Sequence, residues 1–216
     1  MSATKRDAAK ARARSAADLE SLEGFLEALA GTSPTPAGGA AGALAGALAA
    51  ALLGMVCRVT ARRDRSASDL PRLAVTADEL RTTLSRLIPE DTDAYQGLLD
   101  ARRGSTATPA AVQSALVQAT EVPLELARLS RSLLGLCERV LPQARASVLS
   151  DLSVAAALAR AALEAAAITV RVNLVGVTDM RFVDAAAAEL DRLLAEAQAA
   201  HHRVGEMIFK RVGRPD

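Results

Sequence analysis

Tryptophan is absent from this 216-residue chain, and one Tyr and three Phe leave aromatics at only 2% of it. A core without large rings has to be filled by the apolar residues that are present, chiefly Ala, Leu and Val. Ala and Leu lose little side-chain freedom in a helix, whereas the β-branched and aromatic residues that suit strands are in short supply. The expectation is an all-α protein, an antiparallel helical bundle in a single domain.

An excess of charge is missing too: 26 Lys and Arg stand against 25 Asp and Glu, a net charge of +1. That removes any general electrostatic pull toward nucleic acid or a membrane surface, so an anionic ligand must be held by a local site. Cysteine occurs only as Cys57 and Cys137, each inside an apolar helical pattern with no CxxC spacing, which points to structural burial rather than redox chemistry. The two histidines, His201 and His202, are adjacent. Neighbours on a helix point about 100° apart, so this pair makes a poor metal chelator, and no metal site is expected. The start of the chain is charged throughout and lacks the apolar core and small-residue cleavage site of a signal peptide, so a cytoplasmic protein is expected.

Residues 1–17 are polar and read as a frayed segment, with a helical domain over 18–212. Leu19, Leu22, Phe25, Leu26 and Leu29 share one helical face that Gly31 is placed to end. Asp69-Leu-Pro71 opens another helix, which Pro89 is expected to kink or restart, putting Asp91 and Asp93 in a first turn. Thr108 is a plausible N-cap with Pro109 at the first helical position, and Pro123 is expected to interrupt the pattern that follows. Ser150 or Asp151 is placed to cap the next helix. A last amphipathic helix runs from about Phe182 to Phe209.

Between Pro34 and Cys57 the sequence reads PTPAGGAAGALAGALAAALLGMVC, with no charge. Its length is close to the roughly 20 residues that span a bilayer, but its few large apolar residues each favour insertion by only about 0.3–0.6 kcal/mol, and no membrane association is expected. Spacing gives a better account. Gly38, Gly42, Gly46, Ala50 and Gly54 recur every fourth residue as a ridge with almost no side chain, beside a second ridge of Leu44, Leu48, Leu52 and Val56. Each interior Gly costs about 1 kcal/mol relative to Ala, and close approach of another helix or a ligand can offset that cost. The Ala-rich segment from Asp151 to Val172, with Ala155, Ala159, Ala162 and Ala166 along one side, is the candidate partner. The entry PTPAGG offers backbone N–H groups at a helix N-terminus, where the dipole favours an anion.

The string FLEALAGTSPTPAGGAAGALAGALAAALLGMVCRVT resembles the N-terminal signature of the cyclodeaminase/cyclohydrolase family, FL..LAS..PTPGGGS.AAL.GALGAAL..MV.NLT.GKK. That family includes the cyclodeaminase part of formiminotransferase-cyclodeaminase and stand-alone methenyltetrahydrofolate cyclohydrolases. EDTDAY, ATEVPLELAR, SDLSVAAALARAAL and VRVNLVGVTD match further family segments, in the family's order. The resemblance implies an all-helical homodimer with a folate site by the glycine-rich segment, near the dimer interface. It implies one of two reactions: hydrolysis of 5,10-methenyl-tetrahydrofolate to the 10-formyl form, or ring closure of 5-formimino-tetrahydrofolate with loss of ammonia. Both need proton transfers that positioned carboxylates can supply, and neither needs a metal or redox cofactor.

The matching positions are Gly38, Gly39, Thr60, Asp91, Ser150, Asp151 and Asn173. Asp91 or Asp151 is the expected proton-transfer group; Gly38 and Gly39 would let substrate approach the backbone, and Asn173 would hydrogen-bond the pterin or the tetrahedral centre. Thr60, Arg63 and Ser150 complete the expected substrate-binding set. The structural alternatives are a helix cap for Ser150 and Asp151, a first-turn acid for Asp91 and a helix end for Asn173. The chain departs from the signature at Ala37 and Ala40 (Gly and Ser of GGGS), at Arg58 (Asn), at Arg62 to Asp64 (GKK) and at Thr169 (Asn). With no formiminotransferase domain alongside to feed a formimino substrate, the reading is methenyltetrahydrofolate cyclohydrolase. The alternatives are the cyclodeaminase and a non-catalytic helical dimer that binds a ligand or a partner protein.

Overall fold

The computed structural model describes residues 21–63, 69–103 and 108–212. Among them are six α-helices, a 3-10 turn over Ala146–Val148 and no strand. The helices are α1 (Leu22–Ala30), α2 (Gly38–Arg63), α3 (Leu70–Arg103), α4 (Pro109–Val140), α5 (Leu149–Leu174) and α6 (Met180–Val212). The chain divides into two compact units, residues 1–37 and 38–216. The segment expected to fray, 1–17, lies outside the described residues.

In the first unit α1 starts where Ser21 Oγ accepts the Gly24 N–H at 2.9 Å. It stops at Gly31, whose N–H reaches the Ala28 carbonyl at 3.2 Å.

In the second unit the glycine-rich run forms α2, and its small residues set how close its neighbours lie. A Cβ placed on Gly46 would stand 3.0 Å from Leu84 of α3 and 3.6 Å from Ala162 of α5. At Gly42 the nearest atoms belong to Ala165 of α5 and Leu126 of α4, both 3.2 Å away. The Ala stripe predicted for α5 is the face it buries: Ala155, Ala159, Ala162 and Ala166 are all fully buried. Small residues on both helices let two backbones pack closely, which offsets the helix-propensity cost of the glycines. Of the two predicted ridges, Leu48 in the leucine row points outward and is 48% exposed.

The registers fix the topology. Gly54, Gly46 and Gly39 of α2 meet Ala77, Leu84 and Asp91 of α3 in turn, so the two run antiparallel. Gly42 meets Ala165 while Thr60 meets Arg145, just before α5, so α2 and α5 are antiparallel as well. On α4 and α6, Arg128 pairs with Glu189, Arg131 with Glu196 and Glu138 with Arg203, so these two are parallel. One end of the bundle therefore carries the N-termini of α2, α4 and α6 with the C-termini of α3 and α5. We call it the glycine end, and its opposite the arginine end.

Several local expectations need correction. Pro89 does not restart its helix and Pro123 does not interrupt its own; α3 and α4 run continuously through them. A helical Pro leaves the carbonyl four residues earlier without its N–H partner. Pro89 is exposed, so water can serve the Ser85 carbonyl. Pro123 is buried, and the carbonyl it orphans, that of Ala119, instead accepts the Asn173 side-chain N–H at 2.7 Å. Ser150 and Asp151 do not cap α5, which begins at Leu149 straight after the 3-10 turn and lacks a side-chain cap. Thr108 does cap α4, its Oγ1 accepting the Ala111 N–H at 3.2 Å. Asp179 starts α6, its Oδ1 accepting the Arg181 N–H at 3.0 Å.

Candidate active site

At the glycine end, α3 lays Asp91 across the first turn of α2. A Cβ on Gly39 would overlap the Asp91 carboxylate, with the Cγ atom only 2.5 Å away, so glycine is required there for a reason of space. The close approach expected of a ligand is made at this position by a side chain of the protein itself. The carboxylate accepts the N–H of Ala40, one of the donors that a helix start leaves unpaired. Burial pushes the Asp91 carboxyl above its usual range, against the opposing pull of that N–H. Asp91 has no ion-pair partner among the described residues. A desolvated carboxylate with no cation beside it is suited to accept and return a proton or to meet a cationic ligand. Next to it Gly38 is exposed and has no atom within 4 Å of where a Cβ would be, which leaves open space over the helix start.

Asn173 lies at the same end, near the C-terminus of α5. Its N–H group is committed to the Ala119 carbonyl, which makes it first a structural link between α5 and α4. Thr169, one turn earlier, bonds back to its own helix through the Ala165 carbonyl at 3.0 Å.

The other candidates sit at the arginine end. Thr60 is fully buried, and its Oγ1 accepts the Arg145 N–H at 3.5 Å. Arg63 closes α2, exposed and without a carboxylate partner among the described residues. Ser150 is exposed and Asp151 half-buried in the first turn of α5. Gly39 and Thr60 are separated by an unbroken helix with a rise of 1.5 Å per residue, so the two groups stand about 30 Å apart within one chain. The structure thus brings Gly38, Gly39 and Asp91 together and leaves Thr60, Arg63, Ser150 and Asp151 at the far end.

One feature at the arginine end escapes sequence reasoning. Arg58 reaches over Gly54, where a Cβ would stand 2.9 Å from its Nη1, and pairs with Asp78 of α3. Beside this pair a cleft of about 450 Å³ is lined by Arg58, Arg62, Pro71 and Val75. The Arg cluster was visible in the sequence; the antiparallel register that sets it against Asp78 was not.

The cysteines are buried as expected. Burial pushes the Cys57 thiol up to about 11 and the Cys137 thiol up to about 12, so neither forms a thiolate nucleophile at neutral pH.

The fold and site define an all-helical domain in which a desolvated carboxylate is held against a glycine-rich helix start. The chain belongs to the formiminotransferase-cyclodeaminase family, whose profile matches residues 21–192. It is 36% identical over 203 residues to a methenyltetrahydrofolate cyclohydrolase of Methylorubrum extorquens, a match covering 89% of this chain and 98% of that one. It is 32% identical to the mouse formimidoyltransferase-cyclodeaminase, over 82% of this chain but only 35% of the mouse protein. Among solved structures it matches the formiminotetrahydrofolate cyclodeaminase of Thermotoga maritima with a TM-score of 0.84 and 28% identity, covering 89% of this chain and 97% of that one.

Proposed function

We propose that the protein is a methenyltetrahydrofolate cyclohydrolase, hydrolysing 5,10-methenyl-tetrahydrofolate to 10-formyl-tetrahydrofolate, with Asp91 as the proton-transfer group. The observation that carries the reading is the Asp91 carboxylate, desolvated, without a counter-ion, beside the open position at Gly38. The methenyl substrate carries a positive charge over N5, its one-carbon unit and N10. An ionised Asp91 attracts that charge strongly in a partly water-excluded site.

The steps balance as follows. A water oxygen bonds to the methenyl carbon while one of its protons passes to Asp91. The bond from that carbon to N5 then breaks, and N5 takes a proton from Asp91. Loss of the remaining hydroxyl proton leaves a formyl group on N10, with one proton released overall. A carboxyl held above its usual range suits both halves, since it must accept a proton and return it.

The identity to the cyclohydrolase relative, 36% against 32% to the mouse formimidoyltransferase-cyclodeaminase and 28% to the Thermotoga cyclodeaminase, supports this direction over the cyclodeaminase. We further read the protein as a cytoplasmic homodimer that uses no metal or redox cofactor and binds neither nucleic acid nor membrane. Two helical segments, Gly38–Arg63 and Ala146–Leu174, are long and apolar enough to cross a bilayer. Half of the residues of α2 are buried between other helices, which supports a core role.

The test is to add purified protein to 5,10-methenyl-tetrahydrofolate, follow the loss of its near-ultraviolet absorbance, and repeat with 5-formimino-tetrahydrofolate. Accelerated ring opening is expected. Turnover of only the formimino substrate would reassign the reaction, and no turnover of either by folded protein would overturn the enzymatic reading.

A further inference from the structure

We infer that Tyr95 is a stacking platform in the active site, its ring face carrying the flat pyrimidine end of the substrate while Asp91 meets the one-carbon unit; this rests on the cyclohydrolase reading above. Aromatic side chains are scarce in this chain, one Tyr and three Phe, so the place of each is informative. Phe25 of α1 is buried, Phe182 packs against the core at the start of α6, and Phe209 stands near the other end of α6. Tyr95 is on α3 and is 36% exposed, while Leu87 and Leu98 take the buried side of the same helix. Among the described residues it belongs to neither hydrophobic cluster of the bundle.

Position makes the ring part of the site. Tyr95 follows Asp91 by four residues, so the two side chains are neighbours along α3, with about 5–6 Å between their Cβ atoms. Because α3 runs antiparallel to α2 and Asp91 already covers Gly39, the next turn of α3 carries Tyr95 beyond the first residues of α2, at the end where Gly38 is open. Its hydroxyl has no hydrogen-bond partner among the described residues. Neither core packing nor a hydrogen bond accounts for an aromatic side chain at this position.

The chemistry of the substrate does account for it. 5,10-Methenyl-tetrahydrofolate is a fused ring system with a flat, conjugated pyrimidine ring at one end and its reacting carbon in a ring further along. With that carbon at the Asp91 carboxylate, one turn of helix sets the Tyr95 ring against the flat end. An aromatic face stacks well on a flat conjugated ring, and this placing leaves the attacking water to Asp91. The positive charge of the substrate is drawn to the same ring face. A contact with a ring that does not change during the reaction is equally strong before and at the transition state, so it adds to affinity and not to the chemical step.

Kinetics and a signal independent of turnover test the assignment. Tyr95→Leu is expected to raise KM for 5,10-methenyl-tetrahydrofolate about tenfold, the loss of one stacked ring, with kcat near that of the wild type. Tyr95→Phe keeps the ring without the hydroxyl and Tyr95→Trp enlarges it, so both should hold KM close to the wild-type value. A residue needed only for packing would tolerate Leu at this exposed position at least as well as Trp. Because the chain has a single tyrosine, protein grown with ring-labelled tyrosine gives the nuclear magnetic resonance signals of Tyr95 alone. Folic acid, which shares the flat pyrimidine ring and does not undergo the reaction, is expected to move those signals upfield as it binds. An unchanged KM in Tyr95→Leu, or tyrosine signals that stay in place while folic acid binds, would overturn the stacking role and leave the cyclohydrolase reading standing. Moved signals in a folded chain that does not turn over the methenyl substrate would overturn the cyclohydrolase reading and leave the platform standing. A chain that neither binds folic acid nor turns over the methenyl substrate would overturn both.

Discussion

At the scale of single residues, Asp91 and Gly39 act as one unit. Replacing Asp91 by Asn keeps the shape and an acceptor for the Ala40 N–H, but removes the proton carrier. Turnover is expected to fall by about 10²- to 10⁴-fold, the usual contribution of a positioned acid or base, with the fold retained by circular dichroism. In the wild type, kcat/KM should fall on the acid side as Asp91 becomes protonated. The inflection belongs above the ordinary carboxylate range, because burial raises this carboxyl. A profile flat through that region would take Asp91 out of the chemistry. Gly39→Ala tests the same unit from the other side. Its methyl group must displace the carboxylate, and a misplacement of that order costs about 100-fold in rate, with little change expected in the melting temperature. Sequence spacing gave Gly39 no reason to differ from the other small residues of α2, since its neighbour comes from a helix about fifty positions away. The resemblance marked both residues; only the structure shows that one is needed to admit the other.

At the scale of helices, the number and order of elements were legible because apolar spacing and caps are local signals. Thr108 with Pro109 marked the start of α4 correctly, and Gly31 the end of α1. The prolines were misleading because what a helix does with an orphaned carbonyl is decided elsewhere. Pro123 sits inside α4 with the Ala119 carbonyl served by Asn173 of α5, a partner fifty residues further along the chain. This gives Asn173 a structural task that helix-end chemistry did not foretell. Asn173→Ala should leave that carbonyl unpaired and cost about 1–3 kcal/mol of stability. Adding Pro123→Ala restores a backbone N–H to the same carbonyl, so the double variant should recover much of the loss in denaturant melts. Additive losses in the two substitutions would show that the Asn173 bond does not serve the proline. Glycine packing gives a second expectation. Gly42→Leu drives a large side chain into Ala165 and Leu126 and should destabilise the α2–α5 contact by about 1–3 kcal/mol, read as a lower midpoint in urea.

At the scale of the whole molecule, composition alone was enough for the all-helical class, while the split of the site residues between two ends needed the topology. The same topology ties Asp91 to global stability in a way that separates function from structure. If Asp91 were an ordinary helix-capping acid, its ionised form would be favoured by folding and its carboxyl held low. Here burial outweighs the Ala40 N–H and the carboxyl is raised, so the folded state binds its proton more tightly than the unfolded chain does. Stability then falls as pH rises, beginning near the ordinary aspartate value of about 3.9 and continuing until the raised folded-state value is passed; beyond that the penalty is constant. Asp91→Asn has no such proton to lose. Thermal melts of wild type and Asp91→Asn across acid to neutral pH should therefore converge at the acid end and separate toward neutrality, with the Asn chain the more stable of the two. Taking the difference between the chains cancels the contributions of the other carboxylates. The opposite ordering at neutral pH would mean that the ionised carboxylate holds α2 in place. An Asn chain that is more stable and less active would instead mark Asp91 as a group the fold keeps at its own expense, as expected of a residue retained for proton transfer.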